Sequence, residues 1–364
     1  MKIGISTIHY AHNFGAMLQA YALKRHCENC GCEVIMTVEY RTPKQQWNPR
    51  KIDFSSIKSI LLYPKYIWKW FLPKYIPIKR RALKFEYFLD KYLNDKHLLT
   101  GTIFDVIIYG SDQIWSKFKN GYDRIWWGYD DLKTKKRISY AASMGIVDIE
   151  ESDEAFIREA LSHFDAVSVR EIDLYNALIE KKLIDQSHIQ LVIDPTFLLH
   201  KDEWLKITSP RLVKSPYLFF YDFQEDEQTT TLVREIAKKK NLKIVRTTDG
   251  IRANDGSDIY FTAIGPAEFL SLVNYADFVF SSSFHGTAFS IIFNKQFAVR
   301  QVWNTNRVKS LLAHVNLCDR FVETKEQVEK MSEIDYDLVG NKISCLLKES
   351  YEFINNFVNL KEQF

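Results

Sequence analysis

The 364 residues contain no unbroken apolar run of the roughly 20 residues that a spanning helix needs. The opening stretch, MKIGISTIHY, likewise lacks the apolar core of a signal peptide, so the expectation is a cytoplasmic protein. An excess of one charge is also missing. The formal net charge is only +3 and the charges are interspersed, which argues against nucleic acid as a partner. Cysteine is scarce, with five in all: Cys27, Cys30 and Cys32 lie close together, and Cys318 and Cys345 far away, a distribution that excludes a disulfide scaffold. His26 beside those three cysteines suggests a zinc knot, but no second ligand pair follows, and Cys27 and Cys30 suit the end of an amphipathic helix. The carboxylates show no metal-ligand spacing, so no metal is expected.

What the chain does have is apolar content, 46% hydrophobic residues, which at this length favours two domains with sizeable cores. KIGIST reads as a short strand, followed by the polar loop IHYAHNFG and a helix AMLQAYALKRHCENCG stopped by glycine. EVIMTVEY, FDVIIYGSD, RISYAASMG, DAVSVRE and IQLVIDP add strands, with a helix around AFIREALSHF. The unbroken apolar centre of FDVIIYGSD suits a parallel strand buried on both faces.

The alternation then restarts. PYLFFYDF, LKIVRTT, DFVFSSS and QFAVRQV read as strands, with helices at TTTLVREIAKKKN, GPAEFLSLVNYA, HGTAFSIIFNK and NRVKSLLAHVN between and after them. The expectation is α/β with two Rossmann-like domains facing a cleft: residues 1–204 form the first, 205–332 the second, and 333–364 a C-terminal amphipathic helix. The segment 59–81, SILLYPKYIWKWFLPKYIPIKRR, breaks the rhythm. Its interleaved aromatics and cations suit a membrane interface, but an irregular insertion packed on the first domain is the preferred reading.

The stretch SSSFHG places Ser281–Gly286 at a strand-to-helix turn, where free backbone N–H groups and the positive helix end favour an anion. Ser282 and Ser283 add donors, Gly286 allows close approach, and His285 suits a phosphate contact or a proton transfer near neutral pH. Helix capping by the serines and a histidine bonded to a backbone carbonyl explain the same residues without a ligand. Arg170 closes the strand of FDAVSVRE, where a buried charge needs a partner; Glu171 and Asp194 are candidates. Asp112 follows a buried strand in YGSDQIW, as a general base at the cleft or as the cap of a following helix. Asn13 and Gly15 open the first helix, and Ser143 and Gly145 end a strand. These suit binding, and capping also explains them. Trp115, Trp126 and Trp127 offer faces for sugar rings or material for the core.

Taken together, HNFGAMLQAYAL, DVIIYGSDQIW, ISYAASMG, FDAVSVRE, VIDPTFLL, GPAEFLSLVNYADFV and DFVFSSSFHGTAFSIIFNKQF fall in one order from the start of the chain to about Leu312. In that order they resemble the polysaccharide pyruvyl transferase family. The resemblance implies a GT-B-like fold and transfer of the pyruvyl unit of phosphoenolpyruvate to sugar hydroxyls, forming a ketal and releasing phosphate, with no further cofactor. It also implies a glycan or lipid-linked glycan acceptor in a cytoplasmic surface-polysaccharide pathway, at the inner face of the membrane.

By resemblance, Arg170 and His285 match donor-site positions, and Arg307 in NRVKSLL takes the place of a lysine-bearing segment, two residues later than the family spacing. His285 is then the acid that protonates the enol carbon, and Asp112 the base that takes the hydroxyl proton. The competing readings are a GT-B glycosyltransferase using a nucleotide sugar and a noncatalytic glycan-binding protein.

Overall fold

Two apolar runs, Ile103–Tyr109 and Tyr217–Tyr221, lie inside two separate parallel sheets, because side chains buried on both faces need helices above and below. The computed structural model describes residues 1–37, 72–93, 101–222, 224, 226–247, 256–303 and 305–358. In the first half, β1 (Lys2–Ser6) leads through α1 (Phe14–Asn29) to β2 (Glu33–Met36), and α2 (Leu72–Phe88) precedes β3 (Ile103–Tyr109). A small hairpin, β4 (Lys117–Phe118) and β5 (Gly121–Tyr122), comes before β6 (Lys133–Ser139). Then follow α3 (Glu151–Leu161), β7 (Val167–Val169), α4 (Ile172–Glu180), β8 (Ile189–Leu191) and α5 (Lys201–Leu205).

The sheet order is β2-β1-β3-β6, all parallel, and the parallel pair β7-β8 continues it through bridges from Ile138 to Ala166 and Ala142 to Val169. The second half contains β9 (Tyr217–Tyr221), α6 (Glu227–Lys240), β10 (Lys243–Thr247), β11 (Ile259–Tyr260), α7 (Pro266–Asn274), β12 (Phe278–Ser281), α8 (Phe284–Ile292) and β13 (Phe297–Val299). Its sheet order is β11-β10-β9-β12-β13, again parallel. Helices α9 (Asn306–His314), α10 (Lys325–Lys330) and α11 (Tyr336–Val358) complete the chain. The architecture is the expected pair of Rossmann-like sheets in a GT-B-like arrangement.

Helix α1 is not the amphipathic helix expected around Cys27. It is buried along both sides, from Phe14 through Lys24 and again at His26 and Cys27, because the first sheet covers one side and the second half the other. Phe14 stacks on Phe269 of α7 with centroids 4.8 Å apart and meets Tyr221 edge-on at 5.9 Å. Trp204, fully buried, packs edge-on against Phe289 of α8 at 4.8 Å. The apolar core therefore runs without a break from one half into the other. Removing a ring such as that of Phe14 costs about 3–5 kcal/mol at a site of this kind.

Helix α11 returns to the first half. Ser350 Oγ accepts the Ile193 N–H at 3.0 Å, Tyr351 donates to the Leu198 carbonyl at 3.3 Å, and Tyr351 stacks on His26 at 5.2 Å.

The irregular insertion expected over 59–81 is helical where it is described. Residues 59–71 lie outside the described residues, and α2 runs from Leu72 despite Pro77. Pro73 sits in the first turn, where no N–H bond is lost, and buried Ala82, Phe85 and Phe88 give the helix an anchoring face. Strand β6 starts at Lys133, four residues before the apolar run. Its backbone continues to pair with β3 while its lysines point to solvent, so hydrophobicity alone hid its start. Among the described residues no helix is long and apolar enough to cross a membrane.

Candidate functional site

The loops leaving β1, β3, β7, β8 and β12 at their carboxyl ends converge where the two halves meet. Gln19 of α1 braces them from below. Its amide donates to Thr7 Oγ1 at 3.0 Å and accepts the Ser111 N–H at 3.3 Å, joining the loops that follow β1 and β3.

Arg170 occupies the centre of the first-half loops and is buried with both of the partners its sequence position suggested. Nε donates to Glu171 at 2.8 Å and Nη1 to Asp194 at 2.6 Å. Nη1 also donates to Ser111 Oγ at 3.2 Å, and Nη2 lies 3.9 Å from Asp112. Burial opposes the charge on Arg170, but Glu171, Asp194 and Asp112 outweigh it and hold the guanidinium firmly protonated. Asp194 is itself satisfied by Thr196, whose N–H and hydroxyl donate at 3.0 and 2.7 Å. Although burial pushes its carboxyl up, Arg170, His285 and Thr196 prevail and keep it ionised. Asp112 adopts a left-handed backbone, φ 66°, and no helix follows directly, so it faces Arg170 and does not act as a cap.

From the second half, the N-terminus of α8 brings Phe284 and His285 onto this cluster. Phe284 lies under the Arg170 guanidinium, 4.6 Å from ring centroid to Cζ, and the Arg307 guanidinium is 5.9 Å from the same ring. His285 Nε2 stands 4.0 Å from Asp194 and has no hydrogen-bond partner among the described residues. Burial lowers its pKa to about 4; Arg170 and Arg307 reinforce this, while Asp194 and Asp112 oppose it. The ring is therefore neutral at pH 7. Burial, and then the neighbouring Arg170, also lower the pKa of Arg307. Arg170, Asp194, Phe284 and Arg307 line a cavity of about 20 Å³, room for little more than one water.

The remaining sequence candidates divide. Ser283 caps α8, its Oγ accepting the Gly286 N–H at 3.4 Å, and Asn13 caps α1 by accepting from the Ala16 N–H at 3.1 Å. Ser282 is buried in the sheet, its N–H bonded to the Tyr221 carbonyl and its own carbonyl to Gln301. Ser143 is buried too, donating to Glu171 at 2.9 Å, so it supports the arginine cluster. The space that Gly286 leaves is filled by Ser281 and Tyr221 of its own half, and the space beside Gly15 by the His285 ring. Trp115, Trp126 and Trp127 are buried core residues and present no sugar-binding face. Sequence reasoning missed Ser111 and Gln19. Both sit inside motifs that were singled out, but a serine and a glutamine carry no signal until the loops are folded together.

Several solved structures share the general arrangement at low similarity. The MnaA of S. aureus, in a co-structure with UDP, is 10% identical with a TM-score of 0.48, over 100% of this chain and 99% of that one. A UDP-GlcNAc 2-epimerase from Methanocaldococcus jannaschii is also 10% identical with a TM-score of 0.48, over 99% and 100%. The spinosyn forosaminyltransferase SpnP is 9% identical with a TM-score of 0.40, over 100% and 96%. Likenesses this remote carry no functional argument. No curated protein matches the sequence. The family model for polysaccharide pyruvyl transferase matches residues 13–300, most of the chain, and the protein belongs to that family.

Proposed function

We propose that the protein transfers the pyruvyl group of phosphoenolpyruvate to two hydroxyls of a sugar, forming a ketal and releasing phosphate. The observation that carries this reading, beside family membership, is the meeting of Arg170, Arg307 and the N-terminus of α8 with His285 in one buried joint between the halves. A donor with a carboxylate and a phosphate calls for guanidiniums and a positive helix end. In this scheme a proton is added to the terminal enol carbon, and the adjacent carbon, now cation-like, accepts the first hydroxyl oxygen. Asp112 takes that hydroxyl's proton. Phosphate then leaves with its bridging oxygen, and the second hydroxyl adds to the carbon so vacated, its proton passing to the departing phosphate. His285 supplies the enol proton only after it gains one, and an incoming anion raises its pKa in that direction.

The cavity between the halves is smaller than the donor, so the donor enters as the halves part and is enclosed when they close. In this reading residues 1–204 form the acceptor side and 205–332 the donor side, and the acceptor is a glycan or lipid-linked glycan precursor at the inner face of the membrane. An exposed face of α2 supports the membrane placement. Ile76, Leu83 and Tyr87 are 41%, 54% and 64% exposed along one stripe, with exposed Lys79 and Arg80 beside them. The same helix abuts the cleft, since Arg81 donates to the His12 carbonyl at 3.3 Å and His12 pairs with Glu86 at 3.0 Å.

Isothermal calorimetry with phosphoenolpyruvate, and with UDP-sugars in parallel, tests the donor. Phosphoenolpyruvate binding that disappears in His285→Ala upholds the proposal. Binding of a UDP-sugar in its place turns it to glycosyl transfer.

A further inference from the structure

Arg170 and Arg307 both reach the joint, yet their charges are held differently. The three carboxylates of the cluster, Glu171, Asp194 and Asp112, all lie within 4.0 Å of Arg170. Among the described residues Arg307 pairs with no carboxylate. Its partner is the amide of Gln113, next to Asp112 on the loop after β3. With the amide oxygen turned toward the guanidinium, Gln113 accepts from Nη1 at 2.9 Å and Nη2 at 2.8 Å.

A glycine makes room for this amide: Gly145, at φ +76°, carries no Cβ, and one built there would come 2.6 Å from the Gln113 head group. The clamp occupies one N–H on each terminal nitrogen. Nε remains buried without a partner among the described residues. One edge of the fork, Nε with the neighbouring terminal N–H, is thus left with donors to spare.

We propose that Gln113 is a positioning residue for the anionic donor, fixing Arg307 at two points with a neutral acceptor so that its charge stays available to the donor's carboxylate. The assignment rests on the donor reading above. A carboxylate at position 113 would hold the fork as well but would cancel the charge that an incoming anion needs. Because Gln113 belongs to the first half and Arg307 to the second, the clamp is made only when the two halves meet. Closure then aligns the guanidinium as it encloses the ligand.

Gln113→Glu separates this role from simple bracing. The Glu variant is expected to melt at or above the wild-type temperature, because an ion pair replaces a neutral one. Its affinity for phosphoenolpyruvate is expected to fall about tenfold or more, with the loss in KM and little change in kcat. Gln113→Ala is expected to weaken both stability and affinity. A Glu variant that binds phosphoenolpyruvate within about twofold of wild type overturns the inference while leaving the donor reading intact. A wild-type protein silent toward phosphoenolpyruvate overturns the donor reading, and the inference with it.

Discussion

The ring of His285 lies directly against the α-carbon of Gly15: a methyl group there would come 2.0 Å from Nδ1. The two residues belong to opposite halves, so this contact sets how closely α8 approaches α1. Gly15→Ala is expected to cost about 1–3 kcal/mol through overpacking and to push the imidazole out of line, with a large loss of transfer. Combining it with His285→Ala should restore the stability and leave the activity lost. Chemical denaturation of the two single variants and the double one, read as a cycle, checks this.

His285→Ala alone is expected to leave the fold in place and lower turnover by about 10²-fold or more, the usual scale for a lost acid or base. Asp112→Asn is expected to do the same through the hydroxyl proton. Steady-state rates with a saturating acceptor measure both, and full activity in either variant removes that residue from the mechanism.

Arg170 is deeper in the structure than a ligand anchor needs to be. Replacing it with methionine leaves Glu171 and Asp194 buried without their counter-charge, a loss of about 3–5 kcal/mol. Arg170→Lys keeps the charge but loses the fork that bonds the two carboxylates separately, so stability as well as donor affinity is expected to fall. Urea midpoints of the three proteins give the order wild type, lysine, methionine.

Burial lowers His26 and His285 to a pKa of about 4, from 6.5. Above pH 6.5 both rings are neutral in the folded and the unfolded chain and contribute no pH slope. Between 6.5 and 4 the unfolded chain takes up protons that the folded one refuses, so stability falls as pH drops, on the order of 3 kcal/mol for each ring. Below 4 their contribution levels off. His26→Phe keeps the stack on Tyr351 and is expected to reduce this loss by about half, as melting curves across the window will report.

If α2 meets the membrane through Ile76, Leu83 and Tyr87, the protein should co-sediment with phosphatidylglycerol vesicles and not with phosphatidylcholine ones. Leu83→Glu with Tyr87→Glu should abolish this without changing the melting temperature, since both side chains are exposed. Equal sedimentation of the variant would set the membrane placement aside.

Much of this architecture is legible in the chain because its parallel strands are short apolar runs bounded by polar turns, and Tyr217–Tyr221 or Phe278–Ser281 leave few alternatives. Helix α2 was hidden by its prolines, and the first residues of β6 by lysines that face water. At the site, Arg170, Asp194 and His285 carry charge or titrate near neutral pH and so draw attention by type. Gln113 escapes notice for the opposite reason, and Gly145 is noticed only as a strand end: an amide and a missing side chain acquire their role here only from Arg307, which comes from the other half of the chain. The burial of α1 on both sides is likewise a property of the two halves together.

The return of α11 to the first half means that the chain passes between the halves twice, once before β9 and once after α10. Mechanically, the second half is an insertion tethered at both ends. Two connections restrict the relative placement of the halves more than a single one would. Trimming the chain before Ser350 would remove the bonds by which α11 holds the first half, leaving one connection to keep His285 seated against Gly15.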